Sequence, residues 1–206
     1  MPLPRLLMDN DALLKAAHWG LLDVVPTLVG GTWADTACLP TFPPRVHRAE
    51  PRLFADGSVA KVLEACLAQC TELPEPHAGV LAALQIQPGV DAGELVLLGA
   101  LATTADALLL TGDKRALRAV APTGTTPLYQ HRVVCVEQLL LHALDHLGAP
   151  TLVGRVRLWT PRDKTALAIF GRTGDKTDAD LRDGLGSYLR FLDGEAPGLL
   201  VRRWGL

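Results

Sequence analysis

Three short stretches of the chain carry carboxylates in places where chemistry would use them. Asp9-Asn10-Asp11 follows the apolar run Leu6-Leu7-Met8, Asp91-Ala92-Gly93-Glu94 opens a long apolar segment, and Thr111-Gly112-Asp113 ends Leu108-Leu109-Leu110. Carboxylates brought within a few ångströms of one another cannot all stay ionised without compensation. A divalent cation relieves the repulsion, and an all-oxygen ligand set favours Mg²⁺ or Mn²⁺ over zinc. Such an ion lowers the pKa of a bound water and stabilises charge on a phosphate oxygen. Lys114, Arg115 and Arg118 follow directly. On a helix Lys114 and Arg118 share a face that suits phosphate contacts. The acids have structural uses as well. Asp91-x-x-Glu94 has the spacing of a capping box, Asp11 suits a helix cap, and Asp113 suits a turn.

The elements that must position these residues alternate between strand and helix. The pattern predicts strands at Arg5–Asp9, Thr36–Leu39, Val80–Ile86, Ala107–Thr111 and Arg132–Val136. Helices are predicted from Asp11, from Asp56-Gly57-Ser58 through Cys70, over Asp91 to Ala105, over Lys114–Val120 and over Gln138–Leu147. Strands alternating with helices imply an α/β fold whose central sheet is mainly parallel and flanked by helices. In such sheets function gathers at the carboxyl ends of the strands, where all three acidic stretches fall. After Gly148-Ala149-Pro150 the pattern changes. Leu152–Trp159 and Ala166–Phe170 flank Pro161–Lys164 as in a β-hairpin, and a closing helix carries Leu181, Leu185, Tyr188, Leu189 and Leu192. The expected division is residues 1–148 as the α/β domain and 149–206 as an appendage.

Composition narrows the function classes. The 206 residues are 49% hydrophobic and carry a formal charge of −2, so no global basic field would concentrate nucleic acid, and such a role would rest on local patches. No apolar run reaches the roughly 18 residues of a membrane span. Asp9 interrupts the apolar start where a signal peptide would continue, which predicts a cytoplasmic protein without membrane contact. Cys38, Cys66, Cys70 and Cys135 contain no CxxC pair and read as free thiols. His142 and His146 lie four apart but lack a metalloprotease glutamate, since Ala143 follows His142; they read as a helix face. The second Thr-Gly-Asp-Lys copy, Thr173–Lys176, reads as a solvated turn.

Taken in order, Met8-Asp9-Asn10-Asp11, Asp91-Ala92-Gly93-Glu94 and Leu110-Thr111-Gly112-Asp113-Lys114 resemble a PIN domain over about residues 5–147. The resemblance implies Mg²⁺- or Mn²⁺-dependent hydrolysis of phosphodiester bonds, often in RNA, as in toxin–antitoxin ribonucleases. It implies Asp9, Glu94 and Asp113 as metal-binding catalytic acids, with Asp11 assisting and Thr111 supporting Asp113. Thr111, Lys114 and Arg118 then form the substrate-binding set. An antitoxin-like protein inhibitor belongs to the same expectation, and separately the apolar helices around the middle region offer a surface for pairing into a homodimer. Two departures stand out: Asp11 occupies a position where the family usually has Thr, Ser or Asn, and the acid between the first and third strands has only Glu50 and Glu64 as candidates. A catalytically inactive PIN-like interaction module therefore stays open. So does a haloacid-dehalogenase-like phosphatase, in which Asp9-x-Asp11 would be nucleophile and acid/base.

Overall fold

The computed structural model describes residues 3–54, 57–85, 87–159, 163–171 and 173–206. Its centre is a four-stranded, all-parallel sheet in the order β2-β1-β3-β4, formed by β1 (Leu6–Met8), β2 (Thr36–Cys38), β3 (Leu108–Thr111) and β4 (Val133–Cys135). Leu6, Leu7 and Met8 are fully buried. A strand covered on both faces must read as an unbroken apolar run, and β1 and β3 do. The register sets Met8 beside Cys38 on one side and Leu110 on the other, so the chain leaves β1 and β3 side by side.

The connections are helical: α1 (Asn10–His18), α2 (Pro43–His47), α3 (Gly57–Leu67), α4 (Ala78–Leu84), α5 (Ala92–Thr103), α6 (Lys114–Val120) and α7 (Val136–Leu147). Asp56, expected to introduce α3, lies outside the described residues. The α/β class with a parallel sheet is thus as expected, but two expected elements are corrected. Val80–Leu84, expected in a strand, lies in α4; Ile86 lies outside the described residues. The Ala-rich run favours helix, His77 caps it by accepting a hydrogen bond from the Val80 amide, and Val80 and Leu84, one turn apart, take the buried positions.

The second correction is the expected hairpin. Leu152–Arg157 belongs to α8 (Ala149–Arg157), and Ala166–Phe170 to α9 (Lys164–Phe170). The period decides: Ala149, Leu152, Val153 and Val156 are buried, a helical spacing, and Pro150 stands in the first turn, where its fixed φ suits a helix. Pro161 and Arg162 lie outside the described residues. Asp163 caps α9 through its carboxylate, which accepts from the Ala166 amide at 2.8 Å. The closing helix is α10 (Asp178–Glu195), packed on α7 and α9.

Residues 149–206, expected as an appendage, share the core of the sheet. Leu152, Phe170, Leu181, Leu185, Leu189 and Leu192 are fully buried in the same apolar cluster as β1 and β3. The segment after α10 also runs along β4: the Val133 amide donates to Leu199 O at 3.0 Å, and the Val201 amide donates to Val133 O at 2.9 Å. This covers an edge that would otherwise expose unpaired backbone groups. Among the described residues, no helix is long and apolar enough to cross a membrane.

Candidate functional site

At the carboxyl ends of β1 and β3 lies an open cleft of about 930 Å³ bordered by Asp9, Asp11, Asp91, Glu94 and Asp113. Three separate parts of the chain thus bring their acids to one cavity. Asp9 is the last residue before α1, and its amide donates to Leu110 O at 2.9 Å, which ties it to β3. Asp113 stands between β3 and α6. Glu94 lies in the first turn of α5.

Within the cleft the acids form two groups. Burial, helped by the neighbouring Asp11 charge, drives the Asp9 carboxyl up to about 6, although the amides of Gly112, Asn10 and Asp11 favour its ionised form. Across the cleft, the Glu94 and Asp113 carboxyls lie near enough for each to shift the other's proton affinity. Burial and then the contact with Asp113 raise Glu94 to about 8, so it retains its proton. Asp113 moves down: burial opposes its charge, but the Arg115 guanidinium, the Glu94 contact and the Arg115 and Ala116 amides outweigh it. The pair therefore holds one proton, which sits on Glu94 at neutral pH.

The structural uses of these acids are also realised. Asp91 and Glu94 form the capping box, with the Glu94 amide donating to Asp91 Oδ1 at 2.9 Å and the Asp91 amide to Glu94 Oε2 at 2.7 Å. Asp113 caps α6 by accepting from the Arg115 amide at 2.6 Å and the Ala116 amide at 3.1 Å, and its other oxygen lies 3.0 Å from Arg115 Nη2. Asp11 points outward and pairs with Lys15 at 2.9 Å. A Cβ at Gly112 would meet the Asp11 carboxylate, so a side chain there would push Asp11 from its place beside Lys15.

The chain matches no protein-family model, no curated protein and no solved structure.

The expected substrate-binding residues have different surroundings. Thr111 is buried, and its hydroxyl accepts the Asp113 amide at 3.0 Å, which places it beneath the acid as a positioning group. Lys114 lies along the cleft but is bound to the buried Glu137 at 2.8 Å, with its ammonium 5.6 Å from the centre of the Tyr188 ring. Arg118 reaches the cleft and pairs with Glu195 of α10 at 2.5 Å. Neither candidate for the additional acid borders the cleft: Glu50 binds Arg45 at 2.7 Å, and Glu64 binds His47 at 2.5 Å. His142 packs against His146 and Trp204, and burial pushes its imidazole down to about 4. In the second Thr-Gly-Asp-Lys copy the Thr173 hydroxyl donates to Asp175 at 2.5 Å, closing a local turn.

Residues beyond 148 contribute to the site in ways that sequence reasoning missed. Lys15 lies 2.8 Å from Asp163, a buried carboxylate, as well as 2.9 Å from Asp11. Burial opposes the Lys15 charge, but the two carboxylates overcome it and raise its pKa. Tyr188 of α10 supplies part of the cleft wall. Asp163 and Tyr188 had no local signal pointing to the acids; only the fold brings them there.

The donor set, carboxylate oxygen throughout, suits Mg²⁺ or Mn²⁺ in kind. The proton held between Glu94 and Asp113 marks where a cation would relieve the same repulsion. Among the described residues, no three acid, histidine or cysteine side chains stand together as a preformed metal-binding group. Loading an ion would therefore displace the shared proton and draw Asp113 from Arg115.

Proposed function

We propose that this chain is a PIN-like, divalent-cation-dependent nuclease that hydrolyses phosphodiester bonds, with RNA as substrate. One observation carries the reading: Asp9, Glu94 and Asp113, far apart in the chain, border one open cleft at the carboxyl ends of adjacent parallel strands. Burial of acids whose ionisation is opposed destabilises a fold, and such sites are retained where they serve function.

Glu94 and Asp113 are the residues that would hold Mg²⁺ or Mn²⁺, which when bound lowers the pKa of water and stabilises charge on a phosphate oxygen. Asp9, raised to about 6, is ionised at neutral pH yet basic enough to take the proton of an attacking water. Arg45, Arg115 and Arg118 border the cleft and offer guanidinium groups to phosphates, exchanging their present carboxylate partners. Asp11 holds Lys15 in place beside Gly112. The helix-capping hydrogen bonds of Glu94 and Asp113 favour the second reading, an interaction module that keeps the cleft without cleavage.

Incubation of the protein with fluorescently labelled single-stranded RNA separates these readings. Cleavage should appear with Mn²⁺ and vanish with chelator. Asp9→Asn should reduce it by about 10²–10⁴-fold, the usual worth of a proton-transfer group. Asp113→Asn should remove most of the Mn²⁺-stimulated cleavage while leaving the fold intact. RNA left intact under all conditions, or undiminished cleavage by Asp113→Asn, overturns the nuclease reading. Turnover of a simple phosphomonoester, lost in Asp9→Asn, would assign the cleft to a phosphatase instead.

A further inference from the structure

Outside the cleft, three cysteines gather where β2 meets the end of α3. Cys38 closes β2 and is buried, while Cys66 and Cys70 are half-buried, and all three are free thiols. Thr36 and Cys38, two residues apart on a strand, face the same side. The Thr71 amide donates to Thr36 O at 2.9 Å, which holds Cys70 alongside β2, and Cys70 Sγ lies 3.2 Å from Thr36 Oγ1. The Cys38 and Cys70 side chains are near enough for each thiol to shift the other's proton affinity. Disulfides join side chains that face each other across Cα separations of about 4.4–6.8 Å, and two cysteines on one side of adjacent backbones are the arrangement from which such a bridge closes.

We infer that Cys38 and Cys70 form an oxidisable dithiol, a modification site at which a peroxide converts the pair to an intramolecular disulfide. The neighbouring Cys38 thiol lowers the pKa of Cys70, with help from the Thr36 hydroxyl against the cost of burial, so Cys70 is the first to react. Its thiolate attacks one oxygen of hydrogen peroxide, the O–O bond breaks, and the departing hydroxide takes a proton to become water. Cys70 is left as a sulfenic acid. The Cys38 sulfur then attacks the Cys70 sulfur; the S–S bond forms and the S–O bond breaks. The leaving hydroxide accepts the Cys38 proton as a second water. Two electrons pass from the thiols to the peroxide.

The site is independent of the nuclease reading, although the chain beyond Cys38 continues through Leu39, Phe42 and Arg45 into the cleft wall. Cys66 lies one turn back, with its carbonyl oxygen 3.9 Å from Cys70 Sγ, and is the natural control.

The test exposes the full chain to hydrogen peroxide, titrates thiols under denaturing conditions and maps the alkylated peptides. The titre should fall from the four free cysteines to two, with loss of two hydrogens in intact mass and a Cys38–Cys70 cross-link. Cys66→Ser should form the same cross-link. Cys38→Ser should stop at a sulfenic acid on Cys70 that dimedone traps, and Cys70→Ser should keep all its thiols. If a cysteine variant does not fold, the wild-type peptide map decides alone. Four surviving thiols, a bridge containing Cys66, or a bridge between two chains would overturn the assignment.

Discussion

Replacing Asp9 by Asn should make the protein more stable, and the gain should depend on pH in a calculable way. Asp9 sits at about 6 in the folded chain against 3.8 for the ordinary carboxyl, because burial and Asp11 oppose its charge. Between those values the folded state binds more protons than the unfolded state, so stability falls as pH rises. Asp9 costs nothing below about pH 3.8, and its full cost is reached above about pH 6. Every tenfold change in proton affinity corresponds to about 1.4 kcal/mol, which gives a plateau of about 3 kcal/mol, with roughly half of it developed by pH 5. Asn has nearly the same shape and no charge, but it is a weaker acceptor for the Gly112, Asn10 and Asp11 amides. The expected gain at pH 8 is therefore about 2–3 kcal/mol, or about 4–12 °C in Tm for a chain of this size. Thermal and urea unfolding followed by circular dichroism at pH 4, 5, 6 and 8 measures it as the difference between variant and wild type. Curves that coincide at pH 8, or a variant less stable than wild type there, would refute the electrostatic account of this carboxylate. Paired with the loss of RNA cleavage expected for the same variant, a more stable but inactive protein is the outcome that a strained functional acid requires.

Two further substitutions test how the C-terminal helices join the site. Lys15→Met leaves the Asp163 carboxylate buried without its cation and should cost about 3 kcal/mol or more in urea unfolding. Lys15→Met combined with Asp163→Asn should recover much of that loss, since Asn remains a good helix cap; a double variant no more stable than the single would sink the pairing. Leu185→Ala, at a fully buried position of α10, should cost about 2–5 kcal/mol and lower a single cooperative transition. An early transition confined to the C-terminal helices would show instead that residues 149–206 fold as a separate unit.

Local chemistry determined the elements whose residues had one way to be satisfied. Leu6–Met8 and Leu108–Thr111 could hide their apolar side chains only as covered strands, and the capping box formed at Asp91 and Glu94 with the expected spacing. Other segments were ambiguous by themselves. Ala78–Leu84 is a short apolar run that suits strand or helix, and packing against α5 selected the helix. The alternation within Leu152–Trp159 imitated a strand until burial of Leu152, Val153 and Val156 fixed a helical period. The presence of acids at the ends of apolar runs was legible from residue types. Their division was not: Asp9 answers to Asp11, and Glu94 shares a proton with Asp113. Lys15 gained Asp163 as its partner from a segment with no local mark of such a role. A short-range pattern records which residues want burial, a cap or a counter-charge. Only the closed fold, by bringing remote chain together and excluding water, decides which partner meets that want and how far each pKa moves.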